Sequence, residues 1–256
     1  MNKIIDHQIL KRFTGKRHFD RKALGTFLTE LDPGITESAL TWRIHDLVKR
    51  KVIDQVKLGT YTISNKTTYR PFISDKLVRL YKSVIGEFDN LAYCLWSTEW
   101  LNDFTRHQSG SFFYILEVEK GFEEEVFNIC TGLKQHQAYI GPKKEIMERY
   151  VKSGPSIVIR PLISRSPRQK VSVKEKPKDK IYVPMLEKIL VDVFSDPVIF
   201  YTVQGSEMDI LFETALKRYQ VNFTRLLSYA KRRNKEERVK GYLENNFGDN
   251  VKGILT

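Results

Sequence analysis

The sequence predicts an α+β protein: an N-terminal winged helix-turn-helix, then a mixed α/β domain that ends in a C-terminal helical bundle. Three observations carry that prediction. Residues 20–64 read as two helices followed by two β-rich runs around a glycine turn. From residue 89 strand and helix signals alternate, the pattern of an α/β or α+β domain. Beyond residue 184 the signals are helical.

The elements follow in order. Asp20 is an N-cap candidate, and Leu24, Phe27 and Leu28 share one face of the helix it opens. Asp32-Pro33-Gly34 breaks the chain. Thr36 is the next N-cap candidate, and Leu40, Ile44, Leu47 and Val48 recur at i, i+4, i+7 and i+8 as one buried stripe. Residues 52–56 and 60–64 are rich in β-branched side chains, with Lys57-Leu58-Gly59 as the turn between them. In such a unit the second helix enters the DNA major groove and the hairpin reaches the flanking backbone.

Residues 67–88 read as a connector between a domain at 1–66 and one at 89–256, with Ser74 capping a helix through Leu77, Leu80 and Tyr81. Leu91–Trp96 is a strand or a buried helix, which period alone does not separate. Strands are expected at 111–118, 138–140 and 156–163, and helices at 122–133 and 144–152, completing an α/β core at 89–183. The helical part, 184–246, opens with Pro184 at a helix start. Further helices are expected at 209–219, 223–233 and 235–245, with Asp209 and Asn222 as caps.

The 256 residues carry a formal charge of +12, which favours an anionic partner. An apolar fraction of 41% is that of a folded chain. No apolar run reaches membrane-spanning length, and residues 1–8 lack the apolar core of a signal peptide. Cys94 and Cys130 sit among apolar neighbours and read as buried thiols in a cytoplasmic protein. Two cysteines without CxxC spacing and five scattered histidines give no metal site.

The candidate DNA contacts come from chemistry and position. Ser38, Thr41, Trp42 and Arg43 occupy the first two turns of the second helix, away from much of its apolar stripe. Arginine pairs bidentately with guanine, and threonine meets an acceptor or the thymine methyl. Trp42 fits a groove contact, but an aromatic ring on a helix more often packs, so partial burial in the core is the expectation. Lys49 and Arg50 serve either as phosphate contacts or as complements to the helix dipole. Lys57 lies in the hairpin turn, and Lys16, Arg17, Arg21 and Lys22 flank the first helix, placed for phosphate contacts. Residues 1–64 hold twelve basic against seven acidic residues.

A second basic tract spans 160–180, with eight basic residues against Glu175 and Asp179. Lysines alternating with valines at 170–174 suit a solvated edge strand protected from aggregation, the reading preferred here. The competing reading is a second nucleic-acid surface.

Three stretches resemble one known family. They are Trp42-Arg43-Ile44-His45-Asp46-Leu47 with Gly59-Thr60-Tyr61, then Tyr93 to Thr105, and finally Leu186 to Asp192 with Leu226 to Arg233. In that order, over most of the chain, they resemble the AbiEi family of type IV antitoxins. The resemblance implies a repressor that binds inverted repeats in its own promoter. It implies a C-terminal domain that counters a nucleotidyltransferase-like toxin encoded nearby, with no direct contact required and no cofactor.

Signals for catalysis are weak, and no catalytic residue is assigned. Gly205-Ser206 is too close to Asp209 for a nucleotidyltransferase metal site. Glu117 and Glu119, with Asp89 upstream, suggest a metal-dependent nuclease targeted by the winged helix, the alternative function. Lysine is missing at the spacing that site needs: Glu119 follows Glu117 by two, and Gly121 follows Glu119 by two. No P-loop and no nucleophile elbow is present.

Overall fold

The computed structural model describes residues 2–151, 155–173, 176–251 and 253–255. The chain is mixed α and β with a helical C-terminal region. It begins with α1 (Asn2–Phe13), β1 (Phe19–Asp20), α2 (Arg21–Leu31), α3 (Glu37–Lys49), β2 (Ile53–Lys57) and β3 (Thr60–Ile63). Asp20 caps α2 by accepting from the Ala23 amide, and Thr36 caps α3 by accepting from Ala39. β2 and β3 form an antiparallel hairpin, and β1 adds to the far edge of β3. Gly59 takes the turn at φ +73°, a conformation that side chains with a Cβ adopt only with strain.

α1 was not read from the sequence. Its apolar residues are spread around the helix, but Ile9 and Phe13 are buried with Leu24, Leu28, Ile44, Leu47 and Ile53 in one core. Tertiary packing outweighs its weak amphipathicity.

The remaining residues build a second, larger core. α4 (Asp75–Val84) buries Leu77, Leu80 and Val84 in it. β4 (Tyr93–Ser97), β5 (Phe113–Val118), α5 (Glu123–Thr131), β6 (Gln137–Ile140), α6 (Lys144–Arg149) and β7 (Ser156–Pro161) follow. The Leu91–Trp96 ambiguity resolves as a strand whose five residues are all buried. The sheet order is β4-β5-β7-β6, with β4 antiparallel to β5 and the other pairs parallel. β8 (Arg168–Val173) and β9 (Lys176–Pro184) form a separate antiparallel ribbon. Residues 174 and 175 of the basic tract lie outside the described residues.

Four helices close the fold: α7 (Leu186–Ser195), α8 (Ser206–Arg218), α9 (Phe223–Arg232) and α10 (Glu236–Val251). Pro184 ends β9, where it stands in register with Arg168 across the ribbon, and α7 starts two residues later behind Met185. Asp209 is not a cap. α8 starts three residues earlier behind Gly205, and Asp209 accepts from Tyr242 Oη at 2.5 Å. No helix among the described residues is long and apolar enough to cross a membrane.

A buried charge cluster joins the sheet to these helices. Lys188 Nζ of α7 lies 2.5 Å from both Glu117 on β5 and Asp192 one helical turn on. Arg160 on β7 reaches Glu117, Asp192 and Asp196, and Arg233 beyond α9 reaches Asp192 and Asp196. The cluster thus balances three cations against three carboxylates. Tyr229 Oη donates to Asp192 at 2.8 Å. The Glu117 oxygens are within ion-pair distance of Lys188 and Arg160 but lack aligned hydrogen bonds, so Coulomb attraction holds them. Burial alone would strip the Lys188 proton, yet Asp192 and Glu117 outweigh it and raise the pKa above the ordinary lysine value. Burial likewise opposes ionisation of Asp192, and Lys188, Arg160 and Arg233 together pull its pKa below the usual carboxylate range.

Removing one partner strands the others in a dry interior. Lys188→Ala is expected to cost about 3–5 kcal/mol, read from urea unfolding of the whole chain. A cost below about 1 kcal/mol would mean that water reaches the cluster. The depressed Asp192 pKa stabilises the fold above the unfolded value near 3.8, and this stability is lost as pH falls through the folded value. The raised Lys188 pKa keeps its contribution intact below the unfolded value of 10.5. Stability should therefore drop in acid below about pH 4, with a shallower drop in Asp192→Asn, measured as midpoint against pH.

Candidate nucleic-acid interface

Helix α3 has two opposed faces. Leu40, Ile44 and Leu47 are buried. Ser38, Trp42, His45 and Lys49, spaced at i, i+4, i+7 and i+11, are exposed along the other side. Trp42 is 68% exposed, which overturns the expectation of a packed ring. The α3 core already closes around smaller side chains and leaves the indole no site. His45 was missed in the sequence, although the helical period of Trp42 and Lys49 places it on their stripe.

The arginines are placed differently. Arg21 Nη2 at the start of α2 donates to Glu37 Oε1 at 2.5 Å and to Thr41 Oγ1 at 2.9 Å. The hydrogen bond to Glu37 raises the Arg21 pKa above its ordinary value. Thr41 Oγ1 in turn donates to the Glu37 carbonyl at 2.9 Å. Both terminal nitrogens of Arg43 lie 3.3 Å from Asp32 Oδ2, and the side chain is half-buried. Arg50 donates to Asp46 at 2.7 Å and also to Asp6 of α1. These bonds, that to Asp6 foremost, raise its pKa. Each of these arginines helps hold the N-terminal core together, so any ligand must compete for it.

The lysines stay on the surface. Lys22 borders an open groove of about 720 Å³ between α2 and α3, with Arg21, Thr26, Thr29, Glu30 and Glu37. Lys16 and Lys22 flank a neighbouring hollow of about 300 Å³, where Lys16 Nζ sits 5.3 Å from the centre of the Phe13 ring. Ser38 Oγ is 3.2 Å from Thr36 Oγ1. The Arg17 carbonyl accepts from Thr62 Oγ1 and ties the loop before β1 to β3.

The hairpin turn does not project freely. The Leu58 amide donates to Thr224 Oγ1 at 2.7 Å, and Asn222 Nδ2 donates to the Gln55 carbonyl at 3.2 Å. Lys51 Nζ, on a residue at φ +61°, reaches Gln220 Oε1 at 2.6 Å. The β2–β3 turn thus rests on the start of α9. Lys57, the last residue of β2, is half-buried beside this joint.

A family model described as "Family of unknown function (DUF6577)" matches residues 39–249. The chain belongs to the DUF6577 family. The DUF6577 match begins inside α3, so it takes in the stripe from Trp42 to Lys49, the joint with α9 and the buried charge cluster. No curated protein matches the chain.

The carboxylates considered for a nuclease are dispersed in this DUF6577 chain. Glu117 is wholly buried between Lys188 and Arg160, while Asp89 and Glu119 are exposed. Among the described residues no group of three or more His, Cys, Asp or Glu side chains is placed to hold a metal ion.

The three tryptophans give a direct check. Trp96 and Trp100 are buried, and Trp42 is open to water. Iodide should quench one component of the emission, and Trp42→Phe should abolish that component while leaving the rest. Equal quenching before and after the substitution would place Trp42 inside.

Proposed function

We propose that residues 1–66 form a winged helix-turn-helix that binds duplex DNA, and that the protein regulates its own promoter as a cytoplasmic antitoxin. The observation that carries the DNA-binding half is the outward stripe of α3. A large apolar ring exposed between Ser38, His45 and Lys49, opposite a fully packed face, suits a helix that fills a groove. Lys16, Lys22 and Lys49 then contact phosphates and set the register. Thr41 and Arg43 flank the stripe, and Arg43 reads a base only by leaving Asp32. Because the hairpin turn rests on α9, α3 and the lysines carry most of the contact. One such unit reads one half-site, so inverted repeats require two copies.

The antitoxin half rests on the resemblance to AbiEi proteins. In this reading residues 89–256 counter a nucleotidyltransferase-like toxin encoded beside the gene, and the buried charge cluster has a structural task.

The test is a fluorescence-anisotropy titration on DNA taken directly upstream of the gene, with scrambled DNA as competitor at two salt concentrations. Preference for the upstream sequence is expected. Arg43→Ala should lose about 1–3 kcal/mol on that DNA and relax preference at one base. Trp42→Ala should weaken the same complex. Equal affinity for both DNAs would overturn the reading. Co-expression with the product of the adjacent reading frame tests the second half: growth arrest that this protein fails to relieve would remove it.

A further inference from the structure

We propose that the outer face of the β8–β9 ribbon is a second nucleic-acid site, which grips the phosphate backbone of a single strand without reading its bases. The inference does not depend on α3. It begins from the alternation of the ribbon. Val171, Val173, Ile181 and Val183 turn toward the large core. Arg168, Lys170 and Ser172 of β8 therefore share the opposite face with Lys180 and Tyr182 of β9. The register sets Lys170 against Tyr182 and Ser172 against Lys180.

That face is rigid at its base. Arg168 Nη1 donates to the Tyr93 carbonyl at 2.6 Å, and the Tyr182 amide donates to Tyr93 Oη at 3.2 Å. Arg168 and Lys170 stand 5.1 and 4.8 Å from the centre of the Tyr182 ring. The loop leading into β8 adds Arg165, exposed and held at φ +53°, where a side chain with a Cβ is strained. Arg232 of α9 bonds Ser164 beside it at 3.2 Å and brings a further cation to the same border.

Pairing separates this surface from the arginines of the N-terminal core and of β7. Arg21, Arg43 and Arg50 each face a carboxylate, and Arg160 is buried among three. Among the described side chains, which leave out those of residues 174–179, no acidic group pairs with Arg165, Lys170 or Lys180. Cations crowded on one face favour an anionic partner. Alternate residues of a strand are about 7 Å apart, a spacing comparable to that of successive phosphates on an extended single strand. The ribbon also offers an aromatic ring among its cations, the combination used by single-strand binders. Cations spaced in this way meet phosphates, which are alike at every step of the strand.

The experiment compares the full-length protein with an Arg165→Ala, Lys170→Ala, Lys180→Ala variant on labelled oligothymidylate. These side chains are exposed, and circular dichroism confirms that the variant is folded. Affinity should fall at least about tenfold, and the salt dependence should lose about two units of slope, at about 0.7 per phosphate contact. Lys217→Ala, an exposed cation on α8, should bind oligothymidylate as the wild type does. Unchanged affinity in the triple variant would overturn the proposal. So would an equal loss on scrambled duplex DNA, which would assign the face to duplexes. Preference of the wild type for polyglutamate over oligothymidylate would assign it to an acidic protein instead.

Discussion

Lys188 is the side chain around which the larger part of this protein is arranged. Its ammonium group has no access to water and touches a carboxylate from β5 and another from its own helix. Burying one such charge is costly, and the cost is offset only when every partner is in place. Glu117, Arg160, Asp192, Asp196 and Arg233 meet that condition by coming from two strands and two helical regions. An apolar core tolerates small slips of a helix on a sheet. A closed set of six charges does not, because a slip of one turn would leave a carboxylate facing a carboxylate. The cluster therefore fixes α7 and α9 on the sheet in one register.

That register extends to the N-terminal core through α7. Glu187, next to Lys188, accepts from the Asn222 amide at 2.9 Å and from Arg225 at 3.0 Å, which sets the start of α9. The same Asn222 and Thr224 hold the hairpin between β2 and β3. A continuous chain of polar contacts thus runs from the sheet interior to the turn behind α3. The two hydrophobic cores are separate clusters, yet the bonds between them are directional and few. If the N-terminal unit binds DNA as proposed, a movement of α9 would be felt at the hairpin before it reached α3.

Local patterns were legible and long-range ones were not. Asp20 and Thr36 announced their helices because capping is a local bond, and Leu40, Ile44 and Leu47 announced the buried face by period alone. α1 was silent, since its contribution is two large side chains delivered to a core made by other segments. Asp209 was misread as a cap because only the fold shows that Gly205 starts the helix and that Tyr242 claims the carboxylate. The partners of Arg43 and Arg50 were equally hidden, although Asp32 and Asp46 are near in sequence, because polarity does not say which way a side chain turns. The charge cluster was the least legible feature: Glu117 and Lys188 are ordinary surface residue types until the sheet brings them together.

The formal charge of +12 therefore gives a poor map of where this protein meets anions. Charge density along the sequence is highest where residues can be either exposed or paired, and pairing decides. Arg21, Arg43 and Arg50 are bound to carboxylates and act as struts for α2 and α3. What they hold in place, an exposed indole and a row of polar side chains, gives that face its shape and leaves the lysines to supply its field. On the ribbon the balance is reversed: the shape is a plain two-stranded sheet, and the field comes from exposed cations that no carboxylate among the described side chains neutralises. A face with shape suits a ligand whose grooves differ from sequence to sequence. A face with field alone suits one whose charge is the same at every step.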